Sequence, residues 1–357
     1  MKTVFTAHLL RWNRAQNKRL MPWKGEKDPY KIWLSEIILQ QTRVEQGWHY
    51  YLNFIKAFPT VKDLAEAPEA KVFKLWEGLG YYSRCKNLIA SARIINGTYK
   101  GVFPHTYDEI LALKGIGPYT AAAIASFAFN LPYAVVDGNV ARIIARVFGI
   151  NTPIDSTQGK ATINELATTL LDKKKPGIYN QAIMDFGAVI CKPKQPLCQS
   201  CIMQPDCIAF KMGWVDKLPL KEKKIVKKNR WFYYFIITYR NKIYIRQRTE
   251  KDIWQNLYEF FLLEKTNSMS EEQIRQDKVL APVFHQGKGV ITNISKHYTQ
   301  QLTHQTLHGQ FIELTVPNAP DLGKDFKKVS YKDLALYAFP KFIITYLQEK
   351  NVNLSQH

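Results

Sequence analysis

Four cysteines fall within one short stretch of this chain: Cys191, Cys198, Cys201 and Cys207, spaced C-x6-C-x2-C-x5-C. Four thiolates on a compact loop suit zinc or a cubane iron–sulfur cluster. Zinc sites more often pair two C-x2-C knuckles, whereas here one knuckle is flanked by two single cysteines. That pattern favours a [4Fe–4S] cluster. Lys192 and Lys194 lie inside the same loop and are candidates to face a polyanion. Cys85 stands apart in a helical stretch and reads as a plain buried thiol.

Two carboxylates stand in contrasting surroundings. Glu36 lies in Ile32-Trp33-Leu34-Ser35-Glu36-Ile37-Ile38-Leu39, flanked by apolar residues on nearly every side of a predicted helix. Desolvation disfavours its charge, so it is suited to hold a proton near neutral pH and to give it up as a general acid. The plainer alternative is a Glu capped by a polar neighbour or exposed on a helix face. Asp137, in Val135-Val136-Asp137-Gly138-Asn139, precedes a helix that carries Arg142 and Arg146. The free amides and dipole there favour its ionised form. Taken alone it reads as an N-cap. As a pair, a neutral acid and a charged carboxylate suit cleavage of a glycosidic bond through an oxocarbenium-like centre.

A third feature addresses phosphate. Leu113-Lys114-Gly115-Ile116-Gly117-Pro118-Tyr119-Thr120-Ala121 joins two helical segments. Gly115 and Gly117 allow a tight turn and close backbone approach, and the amides opening the next helix point at an anion. This reads as a helix-hairpin-helix over residues 111–121.

The elements that must position these residues divide the chain. Residues 1–218 read as helical, in segments punctuated by prolines such as Pro29, Pro118 and Pro176. The stretch Lys217–Arg230 holds seven basic residues and one acidic residue, and an exposed linker is expected over 219–229. Residues 230–357 read as α+β. Trp231–Tyr239 and Lys242–Gln247 form a predicted β-hairpin turning at Arg240-Asn241, Phe311–Val316 is a further strand, and Tyr331–Gln348 ends in a helix. The whole carries 50 basic and 30 acidic residues, a net charge of +20, which favours a polyanionic partner. No apolar run reaches the length of a membrane span, and the basic N-terminus does not read as a signal peptide. Clustered cysteines in so long a chain argue against a disulfide framework and for a reducing cytoplasm.

The stretches PYKIWLSEIILQQT, LWEGLGYYSRCKNL, LKGIGPYTAAAIASFAF, VDGNVARI and YNQAIMDFGAVIC, followed by the cysteines, resemble the endonuclease III superfamily in order and content. The resemblance is closest to its adenine DNA glycosylase branch, the MutY type. It implies a multidomain protein: an all-α helix-hairpin-helix glycosylase domain with a [4Fe–4S] loop at 191–207, then an α+β Nudix-like domain. It further implies that Glu36 protonates adenine and later helps activate water. Asp137 stabilises the sugar cation, supported by Tyr119 and Asn139. Where endonuclease III carries an attacking lysine, this chain has Tyr119, so a monofunctional enzyme is expected. Gln181 is placed near the adenine, and Arg19, Met21 and Trp23 resemble its pocket wall. Gln41 and Tyr81 are expected to wedge into the duplex, with Thr42 and Leu79 among the DNA-facing positions.

Ile253-Trp254-Gln255-Asn256-Leu257-Tyr258-Glu259-Phe260 resembles a segment of the Nudix-like domain, while the magnesium-binding Nudix box is missing. Leu302-Thr303-His304 stands where that family carries Phe-Ser-His. Thr303 and His304 keep the hydroxyl and imidazole expected to read 8-oxoguanine. The implied partner is double-stranded DNA with adenine opposite 8-oxoguanine or guanine, bound by a monomer in the bacterial nucleoid. A thymine mismatch glycosylase and a non-catalytic iron–sulfur DNA-binding regulator are the rival readings. Glu36 and the Nudix-like domain argue against the first; the second leaves Glu36 and Asp137 unexplained and lacks an apparent helix-turn-helix recognition helix.

Overall fold

A computed structural model describes residues 2–222, 227–286 and 288–352. Part of the linker expected over 219–229, residues 223–226, lies outside the described residues. The chain forms two compact units, Met1–Ala67 with Lys86–Lys223 and Pro68–Cys85 with Lys224–His357.

The first unit is helical. Its elements are α1 (Lys2–Ala15), α2 (Pro29–Leu39), α3 (Val44–Ala57) and α4 (Val61–Glu66). After α5 (Glu69–Trp76), which belongs to the other unit, come α6 (Ser83–Thr98), α7 (Tyr107–Leu111), α8 (Pro118–Phe129) and α9 (Gly138–Phe148). Then follow α10 (Thr157–Leu170), α11 (Pro176–Val189) and α12 (Ile208–Lys211). The prolines mark starts: Pro29, Pro118 and Pro176 each occupy the first helical position, where a missing N–H costs nothing. Side chains close other ends. Asp28 caps α2, Asp137 caps α9, and Thr106 and Glu109 make a reciprocal capping box on α7. Helices α1, α8, α9, α10 and α11 enclose a core that includes Leu9, Trp12, Ala123, Ile143, Ile144, Ile183 and Phe186.

Between α7 and α8 the chain makes the expected hairpin. Gly115 has φ +76°, and a Cβ there would stand 2.7 Å from Asn87 of α6. Ser91, also on α6, donates its hydroxyl to the Lys114 carbonyl at 3.0 Å. The turn is therefore held by backbone geometry that only glycine meets cheaply.

The second unit is built on a mixed sheet. Strands β1 (Lys228–Tyr239) and β2 (Lys242–Gln247) form the expected hairpin, and Arg240 and Asn241 both have positive φ, as a two-residue hairpin turn requires. Next come β3 (Tyr258–Glu259), β4 (Phe261–Lys265), α13 (Glu271–Arg275), β5 (Val290–Ile294), β6 (Tyr298–Gln301), β7 (Gln305–Thr315), β8 (Phe326–Val329) and α14 (Lys341–Glu349). The spine is β1 beside β7, parallel in register from Lys228↔Gln305 to Thr238↔Thr315. Strands β4 and β2 pair with β1, β5 and β6 with β7, and β3 and β8 with β2. One face of the sheet packs Tyr233, Phe235, Ile237, Ile312 and Leu314 against Ile274, Leu280 and Val283. A network of ion pairs links β1, β2, β3 and β4, buried at Glu259 and Arg248 and open to solvent at Asp252 and Glu264. Glu259 is fully buried and pairs with Arg246 and Arg248, while Arg230 joins Asp252 and Glu264.

Candidate active site

The first unit contains one deep cleft of about 940 Å³. Helix α2 brings Glu36 to it. Residues 32–38 of that helix are all buried, so no water reaches the carboxyl from behind. Burial pushes the Glu36 carboxyl up to about 7; nearby Asp137 adds to this, and a hydrogen bond from the Tyr119 hydroxyl opposes it. At neutral pH Glu36 therefore carries a transferable proton for much of the time. Tyr119, in the first turn of α8, is itself raised well above the ordinary phenol value by burial and by both carboxylates.

Asp137 is supplied by the loop that opens α9. One oxygen accepts the Val140 N–H at 2.8 Å and the other accepts the Asn139 amide at 2.7 Å. The Asn139 carbonyl in turn accepts from Arg142 at 2.9 Å, and Arg142 reaches the Cys191 backbone oxygen at 2.8 Å. A run of hydrogen bonds thus fixes the Asp137 carboxylate in orientation.

The cleft collects most of the residues singled out from sequence: Arg19, Met21, Trp23, Glu36, Gln41, Thr42, Tyr119, Asp137, Asn139 and Gln181 all line it. Gln41 is exposed and has φ +57°, an unusual conformation for a side chain larger than Asn. The hairpin glycines Gly115 and Gly117 are in the same unit but do not line the cleft. Leu79, Tyr81, Thr303 and His304 belong to the second unit. There Tyr81 is exposed with φ +48°, its hydroxyl hydrogen-bonds to Thr303, and the Arg84 guanidinium lies 5.6 Å from its ring centre. Leu79 is buried.

Sequence reading missed two residues of this neighbourhood. Lys24 lines the cleft and Asp185 lies behind it, fully buried, joined to Lys24 at 2.9 Å. A usable signal existed: Asp185 stands one helical turn after Gln181 inside an otherwise apolar stretch of α11.

Among the described residues, no group of three or more His, Cys, Asp or Glu side chains stands in a metal-binding arrangement. The four clustered cysteines nevertheless line one small void together with Arg146, Phe186, Met203 and Phe210, and none is in a disulfide. Arg146 donates to the Cys191 sulfur at 3.5 Å and to the Lys192 carbonyl at 2.7 Å. Four thiols and a guanidinium around one void match the donor chemistry of a thiolate-bound metal group. No helix among the described residues is long and apolar enough to cross a membrane.

Residues 34–168 match the HhH-GPD superfamily base excision DNA repair protein family, and residues 233–349 match the NUDIX domain. The adenine DNA glycosylase of Buchnera aphidicola subsp. Schizaphis graminum is 35% identical over 308 residues, covering 85% of this chain and 86% of that protein. The Homo sapiens adenine DNA glycosylase is 41% identical over 216 residues, 58% of this chain and 39% of the human protein. Among solved structures, a thermostable thymine-DNA glycosylase superposes with TM-score 0.55 and 31% identity, over 59% of this chain and 97% of its own. A non-covalent endonuclease III–DNA complex gives TM-score 0.52 at 19% identity, over 60% and 98%, a likeness of fold alone. With a helical unit and a sheet unit in the matching order, and relatives spanning both, the chain belongs to the adenine DNA glycosylases of the helix-hairpin-helix base excision repair superfamily, hydrolases acting on N-glycosyl bonds.

Proposed function

We propose that this chain removes adenine from duplex DNA where it is mispaired with 8-oxoguanine or guanine, by hydrolysing the N-glycosidic bond and leaving an abasic site. The observation that carries the reading is the pair of carboxyls sharing one cleft, Glu36 buried and raised to about 7 and Asp137 anchored by a backbone N–H and Asn139. Glu36 protonates the departing purine, which leaves poorly as an anion, and then helps activate water. Asp137 faces the positive charge that develops on the sugar. Tyr119 offers no amine, so no Schiff base forms and the strand is not nicked. Arg19, Met21, Trp23 and Gln181 receive the extruded base, and Gln41 and Tyr81, beside Thr42 and Leu79, fill the space it leaves. Gly115 and Gly117 let the hairpin amides approach a phosphate.

Cys191, Cys198, Cys201 and Cys207 would hold a [4Fe–4S] cluster. When bound, the cluster supplies cross-linking of the 191–207 loop by ligation, a structural contribution. Thr303 and His304 in the sheet unit read the oxidised base opposite adenine. The enzyme acts as a monomer in the bacterial cytoplasm.

The test uses three duplexes: adenine opposite 8-oxoguanine, adenine opposite guanine, and thymine opposite guanine. Alkali-labile sites at adenine in the first two, with no borohydride-trapped adduct, are expected. Release of thymine instead would favour the reading suggested by the thymine-DNA glycosylase likeness. A trapped adduct would refute the monofunctional mechanism.

A further inference from the structure

Asp185 is fully buried in α11, and none of the roles assigned above uses it. Its two oxygens accept four hydrogen bonds from four side chains. Arg19 at 2.9 Å and Gln181 at 3.0 Å donate to one oxygen, and Lys24 at 2.9 Å and Asn17 at 2.8 Å donate to the other. The donors also hold each other. Lys24 reaches the Arg19 carbonyl at 2.9 Å, and the Asn17 side-chain oxygen accepts the Arg19 backbone N–H at 3.1 Å. Residues 17–24 carry no helix or strand of their own. Besides the packing of Trp23 on Trp48 and Tyr51, this one carboxylate gathers three side chains of the segment, Asn17, Arg19 and Lys24.

Three of the four donors, Arg19, Lys24 and Gln181, line the cleft with Met21 and Trp23. One acid shared by two cations leaves the wall with net positive charge and every donor in a fixed direction. A carboxylate buried against two cations is strongly held, since removing either partner strands a charge away from water. It is thus a rigid point of attachment between this segment and α11. We propose that Asp185 is a positioning residue: it binds the 17–24 segment to α11 and so fixes Arg19, Lys24 and Gln181 as one donor-bearing wall for the extruded purine. This rests on the glycosylase reading above. The clamp acts on the rate of base removal and on the fit of the base, with little effect on the grip on duplex DNA.

The experiment compares Asp185→Asn with the wild type by single-turnover excision, duplex affinity, melting temperature and calorimetric titration with free adenine. The expected result is a folded protein whose excision rate falls about ten- to a hundredfold, as misplacement of the base by about 1 Å would give. Free adenine should bind more weakly, and duplex affinity should stay close to that of the wild type. Adding Lys24→Met to Asp185→Asn should cost little more, because both changes break the same clamp. Should Asp185→Asn fail to fold, Asn17→Ala removes a donor to the same carboxylate that does not line the cleft, and losses of the same kind but smaller size are expected of it. A folded variant of either kind with wild-type excision and adenine affinity overturns the proposal. If the wild type excises no base, the proposed function falls, and the adenine titration alone then decides on the clamp.

Discussion

In the proposed reaction Glu36 is the residue on which the chemistry turns, and its surroundings make it measurable. Glu36→Gln keeps the shape and removes the proton, so excision is expected to fall by about 10²–10⁴-fold, toward the upper end, while duplex binding survives. Single-turnover excision beside a binding titration checks this, and a near wild-type rate removes Glu36 from its role. Because the folded carboxyl is raised to about 7, the wild-type rate should decline as pH rises through that value. The same shift bears on stability. The folded value lies above the unfolded one, so the contribution of the neutral acid is complete below about 4.5 and is lost as pH rises through about 7. The loss is about 3 kcal/mol at about 1.4 kcal/mol per unit. Glu36→Gln has no such loss and should melt above the wild type at pH 8, with the gap closing near pH 4.5. Equal melting at pH 8 would mean that the carboxyl is not desolvated. Glu36 was legible from sequence because the apolar residues that desolvate it are its own helical neighbours. Asp185 was less so, because three of its four partners come from the 17–24 segment, which only the fold brings to α11.

At the scale of elements, the hairpin and the cysteine loop make separable predictions. Gly115→Ala meets both a positive φ and Asn87 at 2.7 Å, so it should destabilise the hairpin by more than about 1 kcal/mol and weaken DNA binding with it. Gly117→Ala meets no atom within 4 Å and has ordinary φ, so it should fold normally. A loss of duplex affinity in that variant alone would mark the place where phosphate approaches the backbone, and unchanged affinity would place the phosphate elsewhere. Cys198→Ser should yield protein with little cluster absorbance and poor solubility, since between its first and last cysteine the loop carries only Leu197, Ile202 and Met203 as large aliphatic side chains. Iron and sulfide analysis of the wild type should give about four of each, and one zinc without iron would refute the cubane. The β1–β2 hairpin was legible because β-branched and aromatic runs flank two residues that tolerate positive φ. Strand β7 was seen only from Phe311 because Gln305–Gln310 holds a single large apolar residue, Leu307, and so shows neither a run nor an alternation. The C-terminal stretch splits at Pro340, which caps α14 and cannot continue the preceding turn.

For the whole molecule, the charge of +20 predicts duplex affinity that falls with salt, with a log–log slope of about −0.9 for each phosphate neutralised, for wild type and Glu36→Gln alike. A flat response would assign the charge to something other than DNA. A chain ended after Glu222 keeps the bonds from Arg146 to Leu218, Ile154 to Leu220 and Glu222 to Asp155, at 3.0, 3.0 and 2.9 Å. It also keeps both carboxyls and all four cysteines and should excise adenine, with reduced stability because Pro68–Cys85 loses its bonds to Tyr337 and Phe339. It loses Thr303 and His304, so its preference for adenine opposite 8-oxoguanine over guanine should drop by roughly one to two orders of magnitude, at about 0.5–1.5 kcal/mol per hydrogen bond. An unchanged ratio would place lesion reading in the first unit. The change of texture near residue 230 made two domains legible. Nothing in composition marked Pro68–Cys85 as part of the second unit, because its affinity shows only in contacts. There Lys74 bonds the Tyr337 carbonyl, and Glu77 accepts the Phe339 N–H at 2.8 Å. That partition sets a timetable on the ribosome. Synthesis proceeds at about 5–20 residues per second, so Val72, Phe73, Trp76 and Leu79, all buried in the finished fold, emerge roughly 10–50 s before residues 337–339 exist to meet them. The nascent chain must carry that apolar segment until Tyr337 and Phe339 arrive to bond Lys74 and Glu77.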